Sequence, residues 1–354
     1  MGMHPKFERE DSFLLADMVL GADKLDVLKQ LIDRKLVSVE NVEAWGRLLA
    51  ALKIDSTGWF KMIDHLKVRI DPLIGSGGYI SEKSPYDIVG NYKAAALGFD
   101  ANFFSHANFS GKTALDFGAG VYRPFCVAVM LFANGFDRVY SFEPFALKPD
   151  FPLASLMHLV NQMLVQPERF DFSGIGEDAL LQRVRSLDLR HIDRSLAAVA
   201  NNETDVIDLG GVLFTSNIDR IPDGAIDAHF SNAVLEHVQD MARHSSILRR
   251  VTSATSVGYH IVDFLDHRYY DDNNLSPFEK YYDGVLDEIN GLTPSDLERV
   301  FLQDEWSVGK ITWKTVPAEY FERETRPVID RYAGYSRTEL EQHLNCYQFR
   351  KDNA

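Results

Sequence analysis

The stretch from Thr113 to Glu143 constrains the fold of this chain more than any other. Thr113–Phe117 reads as a short strand, and Asp116-Phe117-Gly118-Ala119-Gly120 closes it with two glycines. Pro124–Asn134 follows as an apolar helix with proline in its first turn, and Arg138–Phe142 as a second strand. Two strands joined through a helix form a βαβ unit, which commits the chain to a parallel sheet with helices on its faces.

The remaining pattern extends that unit. Further strands are expected at Val212–Thr215, Ala225–Phe230, Ser256–Asp263, Lys310–Val316 and Asn345–Arg350, with a helix over Val234–Thr252. Capping boxes at Thr293-Pro294-Ser295-Asp296 and Ser336-Arg337-Thr338-Glu339 place helix starts before the sixth strand and the last. The expected architecture is α/β, a doubly wound, mostly parallel, seven-stranded sheet. Residues 145–202 and 266–292 exceed the connections of roughly 2–6 residues usual in such sheets, and read as inserts that bind or cover a ligand. The second is rich in Tyr269, Tyr270, Asp271, Asp272, Tyr281, Tyr282 and Asp283, read as walls of a polar pocket.

Residues 1–75 read as a helical N-terminal unit: Leu25, Leu28, Leu31 and Ile32, then Val42, Trp45, Leu48, Leu49 and Leu52 recur at helical spacing. That unit offers a surface for dimerisation. Chain breakers over Ile70–Lys83 mark the hinge to the main domain, 76–354.

Composition narrows the partners. With 37 basic and 52 acidic residues the formal charge is −15, so a polyanion meets long-range repulsion and nucleic acid is not expected as a partner. Cys126 and Cys346 belong to no Cys/His cluster, against a disulfide framework or structural zinc and in favour of a reducing cytoplasm. The longest apolar run, Phe125–Ala133, is far short of the roughly 18–20 residues of a membrane span, and no signal-peptide core is seen. Gly2 lacks the Ser or Thr at position 6 that myristoylation prefers.

Glycines after a strand let backbone approach a ligand, and free N–H groups of the next helix attract a negative group. Glu143, ending the second strand, is placed to accept hydrogen bonds from ribose hydroxyls. A nucleoside cofactor is the expected ligand. A dinucleotide fingerprint would need glycine where Arg123 stands, so NAD(P), and with it a sugar oxidoreductase or epimerase, is the runner-up. A tight turn with no ligand remains the plain alternative.

The segment ALDFGAGVYRPFCVAVMLFANGFDRVYSFEP resembles motif I and the following acid of class I S-adenosylmethionine (SAM)-dependent methyltransferases. Ile221-Pro222-Asp223-Gly224-Ala225-Ile226-Asp227 with Phe230-Ser231-Asn232-Ala233-Val234-Leu235-Glu236-His237-Val238 is similar to the family's LPxxxFDxxxSxxVLEHV segment. Asp263-Phe264-Leu265-Asp266-His267 resembles a DxxDH string found in a subset that methylates small molecules or sugars. The resemblance implies a Rossmann-like fold and S-adenosylhomocysteine as the product. It also implies that backbone at Gly118, Ala119 and Gly120 lines the methionine part of SAM, with Asp116 supporting the loop and Glu143 on the ribose. Phe145 would pack on adenine, Asn217 would contact its amino group, the Ile218 backbone a ring nitrogen, and Ser231 would lie in the cofactor site. Asn217 departs from the commoner Asp.

A hydroxyl acceptor needs a base with a pKa near the working pH, which histidine meets without much tuning. His237, His267 and Asp263 fall at the carboxyl ends of the fourth and fifth strands and are the expected catalytic residues. Glu236 is expected to orient the helix or the ring. Some relatives bind a divalent ion through an E-x-x-E-H string here; Ala233 stands in its first position, so that site lacks a ligand and no metal ligand is assigned. Asp263, Asp266 and His267 read as a base, hydroxyl-orienting acceptors or a hard-cation site, and a divalent metal stays open. The expected function is methyl transfer from SAM to a small polar acceptor, a hydroxyl of a sugar or secondary metabolite favoured. A silent SAM-binding scaffold is the further alternative.

Overall fold

The computed structural model describes residues 83–351 except 149–150, 190, 273–274 and 287. The N-terminal unit, its hinge and the boundary at residue 75 lie outside the described residues. Eight strands are ordered β3-β4-β2-β1-β5-β6-β8-β7. They are β1 (Thr113–Phe117), β2 (Arg138–Phe142), β3 (Val206–Asp208), β4 (Val212–Thr215), β5 (Ile226–Asn232), β6 (Thr252–Asp263), β7 (Trp306–Thr315) and β8 (Gln342–Lys351). The first, second and fourth match their expected bounds. The additional strand, β3, is three residues long, too short for a period-two pattern to register. Successive strands β1, β2 and β4 step one way and β5 lies on the other side of β1, so the topological switch point falls at β1 and β5.

The described residues fall into two compact units. One comprises 83–89, Ser105–Gly111 and Ala119–Arg220. Here β2 pairs with β4 in parallel and β3 with β4 antiparallel. All eight residues of α2 (Cys126–Ala133) are buried, so the helix needs cover all round. The 145–202 insert supplies it: α3 (Phe151–Val165) and α4 (Glu177–Arg185) pack on α2 and on each other. Leu153, Leu156, Leu159, Val160 and Met163 of α3 are buried. The Arg183 guanidinium lies 4.4 Å over the Phe132 ring and donates to its carbonyl at 2.7 Å. This insert therefore builds core where a ligand cover was expected.

The other unit comprises Gly90–Phe104, Lys112–Gly118 and 221–351. β1 pairs with β5 and β5 with β6 in parallel, and β8 runs antiparallel to both β6 and β7. Val89, Tyr92, Ala95 and Ala96 of α1 (Lys83–Phe99) recur at helical spacing and are buried. The expected helix over Val234–Thr252 divides into a 3-10 turn, Leu235–His237, and α5 (Met241–Val251). The Thr293 capping box opens α6 (Pro294–Gln303) with both reciprocal bonds. Leu265, Phe278, Tyr281, Val316, Tyr332 and Leu340 form a small core, with Tyr269 and Tyr282 packed against it. Tyr281 is thus core and not a pocket wall, because its ring has an apolar nest to enter. Cys126 and Cys346 are both buried and form no disulfide. No helix among the described residues is long and apolar enough to cross a membrane.

Candidate functional site

Where β1 ends, Gly118 adopts φ +70°, and a Cβ there would stand 2.5 Å from the Val234 side chain. Glycine is required twice over, by conformation and by close approach. Asp116 is buried and accepts from the Tyr92 hydroxyl at 3.4 Å. Tyr92 stacks on Phe230 of β5 with centroids 5.0 Å apart, and Asn91 donates its amide to Asn232 Oδ1 at 3.1 Å. Side chains of α1 thereby grip the carboxyl ends of both β1 and β5, the switch point of the sheet. Burial and the neighbouring Asp116 carboxylate raise the Tyr92 phenol well above its ordinary pKa, keeping it a neutral donor.

Within the first unit, the Ala119 N–H donates to the Phe142 carbonyl at 3.0 Å. Gly120 (φ +85°) donates its N–H to Glu143 Oε2 at 2.8 Å, and the Phe145 N–H goes to Oε1 at 3.1 Å. Loop and acid, separated in sequence by α2, meet through that carboxylate. Burial raises the Glu143 pKa against the opposing pull of the two backbone donors. A Cβ on Gly120 would meet nothing within 4 Å, so its surroundings are open to a ligand. Phe145 is 70% exposed, an aromatic face with no core around it. The Asn217 amide donates to Asp205 at 3.1 Å and its carbonyl oxygen accepts from the Asp219 N–H at 3.0 Å. Ile218 begins the 3-10 turn Ile218–Arg220. The side chain of Asn217 therefore already shapes its own loop.

In the second unit, Ser231 is fully buried and its hydroxyl bonds His260 Nδ1 at 2.7 Å. Its side chain is therefore engaged within the β5–β6 pair and not turned toward a ligand. His260 Nε2 in turn meets His229 Nδ1 at 2.8 Å. Desolvation lowers the His229 pKa to about 3 and holds His260 well below its ordinary value. A Cβ on Gly258 would fall 2.0 Å from the His229 ring, so glycine makes room for that imidazole.

At the exits of β5 and β6 the second group assembles. Ala233 sits at φ +53°, a left-handed bend uncommon for a residue with a Cβ, and leads the chain into the turn carrying Glu236 and His237. Asn290, from the 266–292 insert, clamps that turn: its amide donates to the Leu235 and Val238 carbonyls at 2.7 and 3.0 Å, and its N–H to the Glu236 carbonyl at 2.7 Å. His237 Nδ1 donates to the Glu288 carbonyl at 2.8 Å. A carbonyl only accepts, so the neutral ring carries its lone pair on Nε2. The His267 ring is edge-on to it, centroids 4.8 Å apart, and burial lowers its pKa.

Glu236 Oε1 accepts the Asp263 N–H at 3.3 Å. Desolvation raises the Glu236 carboxyl to about 8. Asp263 accepts from the Leu265 N–H at 3.0 Å and from the Tyr270 hydroxyl at 2.5 Å. Asp266 is buried and forked onto Arg268 at 3.0 and 2.5 Å, which removes it from acid–base use. Lys280 is buried, donates to the Phe264 carbonyl at 2.7 Å, and has its pKa lowered to about 8 by desolvation.

The fold brings the His237 and His267 rings together and sets Asp263 against Glu236 and beside His267. Sequence reasoning did not find Lys280, Asn290 or the Glu288 carbonyl, none of which carries a local motif, and it assigned Tyr270 to a pocket wall without its bond to Asp263.

No family model matches the chain, and no curated protein matches it. Solved structures resemble the chain at low identity. Phosphoethanolamine N-methyltransferase 2 of Haemonchus contortus, in complex with SAM, is 13% identical, TM-score 0.37, over 72% of this chain and 53% of that one. Geranyl diphosphate C-methyltransferase of Streptomyces coelicolor A3(2), in complex with Mg2+, geranyl diphosphate and S-adenosylhomocysteine, is 14% identical, TM-score 0.38, over 73% and 77%. A SAM-dependent methyltransferase of Mesorhizobium loti is 12% identical, TM-score 0.34, over 68% and 92%. The chain spans about half the length of the first of these.

Proposed function

We propose that this chain transfers a methyl group from SAM to a small polar acceptor, with a hydroxyl as the favoured nucleophile. The observation that carries the reading is the bond between the glycine loop and its acid, Gly120 N–H to Glu143 Oε2 at 2.8 Å. It joins the two sequence features through which the chain resembles class I methyltransferases. The residues fit the cofactor: open space at Gly120, a buried acid beside it and an exposed Phe145 offer a polar seat and an aromatic face. Ala119 and Gly120 would hold the methionine part, supported by Asp116 and Gly118. Glu143 would take the ribose hydroxyls and Phe145, Asn217 and Ile218 the adenine, with Ser231 contributing main chain only. When bound, SAM supplies an electrophilic methyl group on a sulfonium leaving group.

The chain's own contribution is alignment and removal of the acceptor's proton. His237 takes that proton at Nε2, since Nδ1 already holds its hydrogen against the Glu288 carbonyl. His267 and Asp263 orient the acceptor. A sugar or secondary-metabolite hydroxyl fits this need for a base, whereas a neutral amine would not require one. Calorimetric titration of S-adenosylhomocysteine and of NAD, with Glu143→Ala as control, tests the reading. Micromolar binding of the first, weakened by the substitution, is expected. No binding of it, or binding of NAD instead, would remove the proposal.

A further inference from the structure

We propose that Glu236, His237 and His267 bind one divalent transition-metal ion. One donor atom from each residue lies within 4.8 Å of the others. Metal–ligand lengths of about 2.0–2.2 Å put donors roughly 3.3–3.5 Å apart in a tetrahedral site, so the three side chains need to draw in by only about 1 Å.

Two observations besides proximity point to a cation. Glu236 is 4% exposed, and while Oε1 takes the Asp263 N–H, Oε2 is buried with no hydrogen-bond partner. His267 Nε2 is likewise buried without a partner. Buried polar atoms are usually satisfied, and two without a partner in one cluster of three potential ligands leave positions that a cation can fill.

The outer contacts suit ligation as well. A ligating imidazole usually gives its far N–H to a carbonyl or carboxylate, which fixes tautomer and orientation; His237 does so to Glu288. Glu288 is held at φ +55°, a strained conformation for a residue with a Cβ, in the segment that aims that carbonyl. The neighbouring cations are otherwise engaged, Lys280 on the Phe264 carbonyl and Arg268 between Asp266 and Asp283.

Two imidazoles and one carboxylate select an ion of the Zn2+ type over Mg2+ or Ca2+, and three protein ligands leave a coordination position open. The site stands on this cluster alone and goes beyond the methyl-transfer reading. An imidazole bound to an ion is not a base, so His237 acts as the base only in the metal-free protein; with metal bound, the ion would polarise the acceptor oxygen and the proton would leave to Asp263 or solvent.

The test uses tag-free full-length protein stripped with chelator, titrated with Zn2+ and Co2+ separately and, in parallel, with S-adenosylhomocysteine. One equivalent of Zn2+ should bind at micromolar or lower concentration, and Co2+ should develop visible d–d absorption. Glu236→Gln and His267→Ala should each weaken binding by about 10- to 100-fold or more. No Zn2+ binding at millimolar concentration, or binding unchanged in both variants, overturns the proposal. If one variant fails to fold, the other together with the wild-type Co2+ spectrum decides. S-adenosylhomocysteine binding without Zn2+ binding removes the metal site alone; Zn2+ binding without S-adenosylhomocysteine removes methyl transfer and leaves the metal site standing.

Discussion

Strands β5 and β6 each carry one histidine in their interior and deliver another at their exit, and the two pairs behave as different chemistry. His229 and His260 are fully buried and bond each other, with Ser231 closing the chain. Desolvation keeps them neutral. His237 and His267 lie past the strand ends, meet each other through an edge-on ring contact, and share their surroundings with an acid. The interior pair commits three of its four ring nitrogens to bonds within the fold, His229 Nε2 being buried without a hydrogen-bond partner, while the exit pair lies at the strand ends beside Glu236. Residue type is common to both; the difference is whether the partner is another protein group.

The largest expected effect sets the exit pair apart. Replacing His237 and His267 together by Ala should lower kcat/KM for methyl transfer by about 10²–10⁴-fold, as loss of a general base does, with the melting temperature nearly unchanged. Equal loss of stability and activity would break the comparison.

The interior pair should respond the opposite way. His260→Ala leaves His229 and Ser231 without partners beside a new cavity, and is expected to cost about 3 kcal/mol in denaturant unfolding. Activity per folded molecule should be kept.

Proton linkage gives a third separation. The His229 and His244 pKa values are both lowered to about 3 by desolvation, against an ordinary 6.5. The unfolded chain then binds more protons than the folded one between those values. Stability from these groups is present above about pH 6.5 and lost as pH falls toward 3, by about 1 kcal/mol per pH unit for each. His244→Phe should flatten the acid limb of the stability curve by about one such share; an unchanged slope would refute the assignment.

The smallest effect concerns Tyr270, whose hydroxyl meets Asp263 at 2.5 Å. Tyr270→Phe should lower kcat less than about tenfold and change stability by no more than about 0.5 kcal/mol. A larger kinetic loss would place this hydroxyl at the acceptor.

Much of this was legible in advance for local reasons. β1, β2 and β4 announce themselves as apolar runs between turn residues, the Thr293 box writes its helix start in four residues, and the glycine loop and Glu143 flank one helix. Other features were not. An apolar residue after a strand is more often core than a contact to adenine, and that Phe145 is 70% exposed is decided by packing. Tyr281 looks like its polar neighbours in a Tyr/Asp-rich insert, yet is fully buried among Phe278 and Tyr332.

By itself the sequence determined the alternation of strands and helices, the sheet's parallel core and the pairing of a glycine loop with an acid, because backbone preference and hydrophobic period act over a few residues. Only the tertiary structure decided which groups meet. The fold brings His267, from the end of another strand, to within 4.8 Å of donor atoms of Glu236 and His237. It also fixes the His237 tautomer through a carbonyl from a distant insert and buries Glu236 beside both rings. Proximity, burial and proton position follow from strand register and loop packing, which no local stretch of residues encodes.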